Sequence, residues 1–233
     1  DGGLAESLLV PRIAMDHGNL VVLEKEIPAT TLALAEPVSC CLNGAGQVAV
    51  APGESVVVLG TGPIGLLHIA LAKLAGATTI LAAGREGRLT AATDFGATCA
   101  VALTGEALTD EVRERTNGRG ADVVIVAVGD LALANQALEL AAIGGRVNYF
   151  AGFPKGKTAS IDPNLIHYRE LAVTGGSNAR RADVRRAVEL LSSGALDVGR
   201  LVTHRFPLAE LDAAVTAVAR RDGLKVAVMP EAG

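Results

Sequence analysis

The sequence has no tryptophan, and aromatic residues make up only 3% of its 233 positions. It also lacks an excess of basic charge, with 21 Lys and Arg against 25 Asp and Glu for a net charge of −4. A nucleic-acid partner is therefore excluded, because phosphate-backbone binding requires a basic surface. The one basic cluster, Arg180, Arg181, Arg185 and Arg186, reads as a solvated helix face. Cysteine is scarce: Cys40, Cys41 and Cys99 form no CxxC pair. That count excludes a disulfide framework and suits a reducing compartment. No apolar run reaches the roughly 18 residues that span a bilayer, since the richest stretch, Ile64 to Ala75, is broken by His68 and Lys73. Asp1-Gly2-Gly3 does not resemble a signal peptide. A cytoplasmic protein with no membrane partner is expected.

Alanine, valine, leucine and 27 glycines dominate instead, and half of the residues are hydrophobic. That mixture suits a parallel sheet covered by alanine-rich helices, whose fully buried strands read as continuous Val/Ile/Leu runs. Leu4 to Ile27 has a short, strand-like pattern broken at Pro11 and at His17-Gly18-Asn19. Thr31 to Val50 is compatible with helix and stops at Ala51-Pro52-Gly53. Strand and helix then alternate. Strands are expected at Ser55–Leu59, Thr79–Ala83, Cys99–Ala102, Asp122–Val126, Arg146–Phe150 and Glu170–Thr174. Helices are expected at Pro63–Ala75, Gly87–Phe95, Ala107–Thr116, Leu131–Ala142 and Ala182–Ser192. Such alternation implies βαβ units with right-handed crossovers, an α/β doubly wound parallel Rossmann sheet. After Leu201 a strand, a helix over Leu208–Arg220 and a strand over Lys225–Met229 form a separate short piece.

Gly60-Thr61-Gly62-Pro63-Ile64-Gly65 is a GxGxxG between the first buried strand and the first helix of this alternation. In that context the glycines have separate roles. Gly60 permits the tight turn, Gly62 lets a pyrophosphate approach the backbone, and Gly65 lets the helix pack close to the strand. The helix N-terminus then offers unpaired N–H groups to the phosphates, and Pro63 fits there because its missing N–H would have no partner. A methyltransferase loop would carry an acidic residue where this sequence has Leu59.

In a dinucleotide site, the end of the second strand reads the ribose, usually with a carboxylate for the 2′-hydroxyl of NAD. Here that position holds Ala82-Ala83-Gly84-Arg85. Without the carboxylate a 2′-phosphate is not repelled, and Arg85 or Arg88 could pair with it in bidentate fashion. The cofactor expected is NADP rather than NAD, with the competing possibility that Glu86 takes the ribose.

Several segments together resemble the medium-chain zinc-dependent alcohol dehydrogenases, in particular their polyol and threonine dehydrogenase branch. They are Gly2-Gly3-Leu4-Ala5-Glu6, Leu34-Ala35-Glu36-Pro37, the Gly60–Gly65 loop, Asn148-Tyr149-Phe150-Ala151-Gly152 and Gly223-Leu224-Lys225-Val226. The resemblance implies hydride transfer between a nicotinamide and a secondary alcohol or ketone of polyol, cyclitol or amino-alcohol type, assisted by zinc. It implies remnants of a GroES-like, β-rich catalytic domain at both ends: 1–50, including a connecting helix, and 201–233, around a Rossmann domain at 51–200. It places Glu36 close to the catalytic metal. Ala127-Val128-Gly129 and Phe150-Ala151-Gly152 would line the ribose and nicotinamide, and Lys225 would lie near the phosphates. It further implies a homodimer or homotetramer paired through Arg146–Phe150 at the sheet edge.

The family's metal-binding cysteine, its His-Glu pair and its four-cysteine cluster lie upstream of the position matched by Gly2-Gly3, so the sequence reads as such a dehydrogenase without its first third. Cys40 or Cys41 could assist Glu36, although both fit small buried hydrophobes better. His17, His68, His167 and His204 show no ligand spacing, and His68 reads as a hydrogen-bonded core residue. A zinc-free NADPH-dependent enone or quinone reductase and a non-catalytic dinucleotide-binding module are the alternatives.

Overall fold

A computed structural model describes residues 2–230. Three helices come first: α1 (Arg12–Asp16), α2 (Ala29–Leu32) and α3 (Ala35–Val48). The alternating region follows as β1 (Ser55–Leu59), α4 (Pro63–Leu74), β2 (Thr79–Ala83), α5 (Leu89–Phe95), β3 (Cys99–Val101), α6 (Gly105–Arg115), β4 (Ala121–Val126), α7 (Ala132–Leu140), β5 (Ala141–Tyr149), α8 (Pro163–Tyr168), β6 (Ala172–Gly175) and α9 (Arg181–Ser192). The chain closes with β7 (Val202–Pro207), α10 (Leu211–Arg220) and β8 (Lys225–Met229).

Strands β1 to β6 form one parallel sheet in the order β3-β2-β1-β4-β5-β6, the doubly wound arrangement. Strand β1 shows why the sequence folds this way. All five of its residues are buried, and alternate residues point to opposite faces. Val56 and Val58 join the core packed under α3, α4 and α9, whereas Val57 and Leu59 join the core under α6 and α7. A strand covered on both faces needs an unbroken apolar run, and Val56-Val57-Val58-Leu59 is one. Strands β7 and β8 pair in a separate two-stranded parallel sheet.

Three expectations are corrected. Leu4 to Ile27 contains no strand; it holds α1, and no neighbouring strand offers it a ladder. Leu8, Leu9, Ile13 and Val22 of this stretch are exposed. Second, Arg146–Phe150 is not at the sheet edge. Strand β5 lies between β4 and β6, so the edge on that side is β6, and β3 is the edge on the other.

Third, His68 is in the core, but it is not hydrogen-bonded. It is 1% exposed, Nδ1 and Nε2 have no partner among the described residues, and its ring meets Phe150 edge-on at 4.5 Å. Burial disfavours the imidazolium and pushes its pKa down to about 3. The unfolded chain binds this proton near pH 6.5 and the folded chain refuses it. The neutral-His68 contribution to stability is therefore complete above about pH 6.5 and is lost as pH falls from there towards 3. Removing two unpaired buried nitrogens is expected to stabilise the protein, so His68→Leu should unfold about 1–2 kcal/mol harder at pH 7. Its advantage should widen on acidification, which denaturant melts at pH 7 and pH 5 would measure. A variant with the same acid sensitivity as the parent would overturn the assignment.

Two of the four clustered arginines act as fasteners rather than as a solvated face. Arg180 donates to Asn43 Oδ1 at 2.9 Å, linking α9 to α3, and Arg181 donates to the carbonyl of His17.

Candidate dinucleotide site

The cavity that collects most of the expected site residues lies at the C-terminal ends of β1, β2 and β4. It has a volume of about 530 Å³. This is the topological switch point of the sheet, where ligands of open α/β folds bind. Gly60, Thr61, Gly62 and Pro63 line one side of it. Gly60 needs to be glycine because its φ is +106°, in the left-handed region. Gly62 is in ordinary extended backbone, φ −76° and ψ 179°, and a Cβ built on it meets nothing within 4 Å. The site therefore has room at Gly62 that a side chain would occupy.

Gly65 differs from Gly62. A Cβ there would be 1.8 Å from the carbonyl oxygen of Gly60, so this glycine is set by packing of α4 against the turn. Gly62 is the N-cap of α4, Pro63 opens the helix, and no side chain caps its first turn. The turn's N–H groups and the positive end of the helix dipole are left for an anion.

The second wall comes from β2 and the turn after it. Ala83, Gly84, Arg85 and Arg88 line the cavity, and Glu86 is not among the lining residues. Gly84 accommodates Thr61, since a Cβ there would be 1.9 Å from Thr61 Oγ1. Ala127 and Val128 contribute from the end of β4. Gly129 does not line the cavity; it packs on the backbone of Gly152, whose carbonyl oxygen would be 2.2 Å from a Cβ at 129. Ile64, Phe150, Ala151, Gly152 and Lys225 also lie outside the lining, although Lys225 is flanked by the lining residues Leu224 and Val226.

Sequence reasoning missed part of the wall. Asp130 lines the cavity, and its Oδ1 accepts from the N–H of Ala132 at the start of α7. Arg221, Asp222 and Gly223 line it from the turn between α10 and β8. The Gly223–Val226 resemblance places this stretch near the phosphates, but nothing in the sequence marks Arg221 or the bond across 135 residues in which Arg88 Nη2 donates to the carbonyl of Gly223 at 2.7 Å.

Glu36 lies elsewhere, in the first turn of α3, where its Oε1 is 3.3 Å from Cys40 Sγ. Burial and that carboxylate push the Cys40 thiol up to about 11. Burial also raises Cys41. Among the described residues no three His, Cys, Asp or Glu side chains converge as metal ligands. Zinc requires at least three protein donors, with thiols as thiolates. Glu36 and Cys40 therefore do not make a zinc site by themselves. No helix among the described residues is long and apolar enough to cross a membrane.

A parallel sheet in this order, with a glycine-rich turn opening a helix at its switch point, defines the Rossmann class of nucleotide-binding folds. The chain belongs to the zinc-binding dehydrogenase family, whose model matches residues 63–193. It is 32% identical over 99% of its length to an alcohol dehydrogenase of Cupriavidus necator, of which it covers 63%. It is 31% identical, again over 99% of its length, to the L-threonine 3-dehydrogenase of Bacillus licheniformis, of which it covers 65%. Among solved structures, a member of the zinc-binding dehydrogenases from Sinorhizobium meliloti 1021 bound to NADP superposes with a TM-score of 0.78 and 33% identity. That match covers 88% of this chain and 62% of the other. The chain thus spans less than two thirds of the length of these relatives.

Proposed function

We propose that this chain is the cofactor-binding portion of an NAD(P)-dependent alcohol dehydrogenase. The observation that carries the proposal is the open approach at Gly62, on a cavity at the switch point of the sheet. In this reading the Gly60–Gly65 turn and the uncapped start of α4 hold the pyrophosphate through backbone N–H groups of Gly62 and Ile64. Thr61, buried against Gly84, keeps the turn in place. Arg85 and Arg88 read the adenosine ribose and favour a 2′-phosphate, hence NADP over NAD. Ala127-Val128-Gly129 and Phe150-Ala151-Gly152 carry the remainder of the cofactor towards the substrate, and Lys225 adds positive charge beside the phosphates. The bound nicotinamide supplies or takes up the hydride.

The whole protein's substrate is proposed to be a secondary alcohol, or the matching ketone, of polyol, cyclitol or amino-alcohol type. Kinship with dehydrogenases named for alcohols and for L-threonine supports this class. Glu36 is proposed to face the reacting centre; its carboxylate accepts from Cys40 Sγ, and the chemistry ascribed to this chain itself is cofactor binding. The division into 1–50, 51–200 and 201–233 belongs to the same proposal, and a cytoplasmic location fits it. So does a homodimer or homotetramer, for which β6, the edge strand beside β5, is proposed as the pairing edge. Calorimetric titration with NADPH and with NADH tests the proposal. One-to-one saturable binding of at least one is expected, and failure of both to bind would overturn it.

A further inference from the structure

One part of the cavity wall comes from a segment far away in sequence. Arg221, Asp222, Gly223 and Leu224 follow α10 and lead into β8. Two bonds fix this turn. The N–H of Leu224 donates to Thr203 Oγ1 at 2.9 Å, and Arg88 donates to the carbonyl of Gly223 at 2.7 Å. Gly223 has φ +68°, and a Cβ there would be 2.2 Å from Thr203 Oγ1, so the turn has little freedom to move. The guanidinium of Arg88 is thereby already engaged with protein.

Arg221 is at the C-cap of α10 with φ +60° and ψ 34°. That left-handed position normally takes glycine or asparagine, because a side chain there is strained. Ala49 ends α3 in the same left-handed conformation, and what sets Arg221 apart is that it is a cation lining the cavity. Neither Arg85 nor Arg221 belongs to any ion pair among the described residues. The carboxylates of the lining are Asp130, bound to the N–H of Ala132, and Asp222. Three guanidinium groups against two carboxylates leave the wall positive, which favours a phosphate.

We infer that Arg221 is a further specificity residue for a phosphomonoester on the adenosine ribose, acting with Arg85 and Arg88, and that Arg88 in addition holds the 221–224 turn. The inference rests on the proposed dinucleotide site. One donor of Arg88, Nη2, is committed to the carbonyl of Gly223, so this arginine also fastens the turn. Guanidinium pairing with a phosphate is bidentate and charge-assisted, so its loss is expected to be large.

Titration of the full chain with NADPH, NADH, adenosine 2′,5′-bisphosphate and adenosine 5′-phosphate tests this. Arg221→Gly removes the cation and relieves the backbone strain together. It should weaken NADPH and the bisphosphate roughly ten- to hundred-fold, leave NADH and the monophosphate unchanged, and melt no lower than the parent. Arg88→Ala should speed amide exchange at Leu224, an effect that a direct phosphate ligand need not produce. Unchanged NADPH affinity in Arg221→Gly, or an equal loss for NADH, would overturn the inference while leaving the site itself intact. If the parent bound none of the four, the dinucleotide reading would fall and this inference with it.

Discussion

Replacing Gly62 with valine is expected to lower NADPH affinity at least about a hundred-fold, a loss of roughly 3 kcal/mol, with little effect on folding. The separation of the two effects follows from geometry. Gly62 has an ordinary extended backbone, and a Cβ there would meet no atom within 4 Å, so the folded chain has space for the new side chain. That space is the route by which a pyrophosphate would reach the uncapped N–H groups of α4. A branched side chain there removes both contact distance and hydrogen bonds. The folding cost should stay within about 1 kcal/mol, the range of N-cap substitutions. Fluorescence titration with NADPH, run beside a thermal melt, checks both halves. Parent-like binding by a folded Gly62→Val protein would contradict the assignment of the turn.

Gly65→Ala should do the opposite and reduce stability before anything else. Its Cβ would sit 1.8 Å from the carbonyl oxygen of Gly60 and 2.9 Å from that carbonyl carbon, both backbone atoms in a turn held by its own φ of +106°. No side-chain rotation can relieve that contact, so α4 must move away from β1. Leu66, Leu67 and Ile69, all fully buried on α4, would move with it. A forced shift in a well-packed core costs about 1–3 kcal/mol, which lowers the melting temperature of a chain of this size by roughly 2–12 °C. Gly62→Ala is the matched control and should melt close to the parent. Equal melting of the two alanine variants would show that the turn does not hold α4 as described.

Features set by short-range chemistry were legible in the sequence. The Ser55–Leu59 strand, the glycine turn and the Pro63 helix start come from neighbouring residues, and so does the break at Gly96, whose φ of +116° ends α5. Helix α8, absent from the sequence expectations, also has local signals: Asp162 accepts from the N–H of Asn164, and Pro163 follows it in the first turn. Features set by distant partners were not legible. Strand β5 begins at Ala141, directly after α7, because Ala121 pairs with it across a register shift. The helix expected over Leu131–Ala142 therefore stops at Leu140. Nothing within Arg146–Phe150 shows that β6 covers it on the outer side. The apolar pattern places His68 inside, yet its lack of a hydrogen-bond partner depends on distant neighbours such as Phe150. The site divides along the same line. The turn and Arg85 could be read locally, whereas Arg221 and the Arg88–Gly223 bond depend on a contact across 135 residues.

The central claim is that the cavity above the Gly60–Gly65 turn holds a nicotinamide dinucleotide. A crystal structure of the full chain grown with NADPH tests this most directly. The account predicts pyrophosphate oxygens within hydrogen-bonding distance of the backbone N–H groups at Gly62 and Ile64, and the 2′-phosphate between Arg85 and Arg221. A dinucleotide bound anywhere else, or a pyrophosphate kept away from that turn, would contradict it.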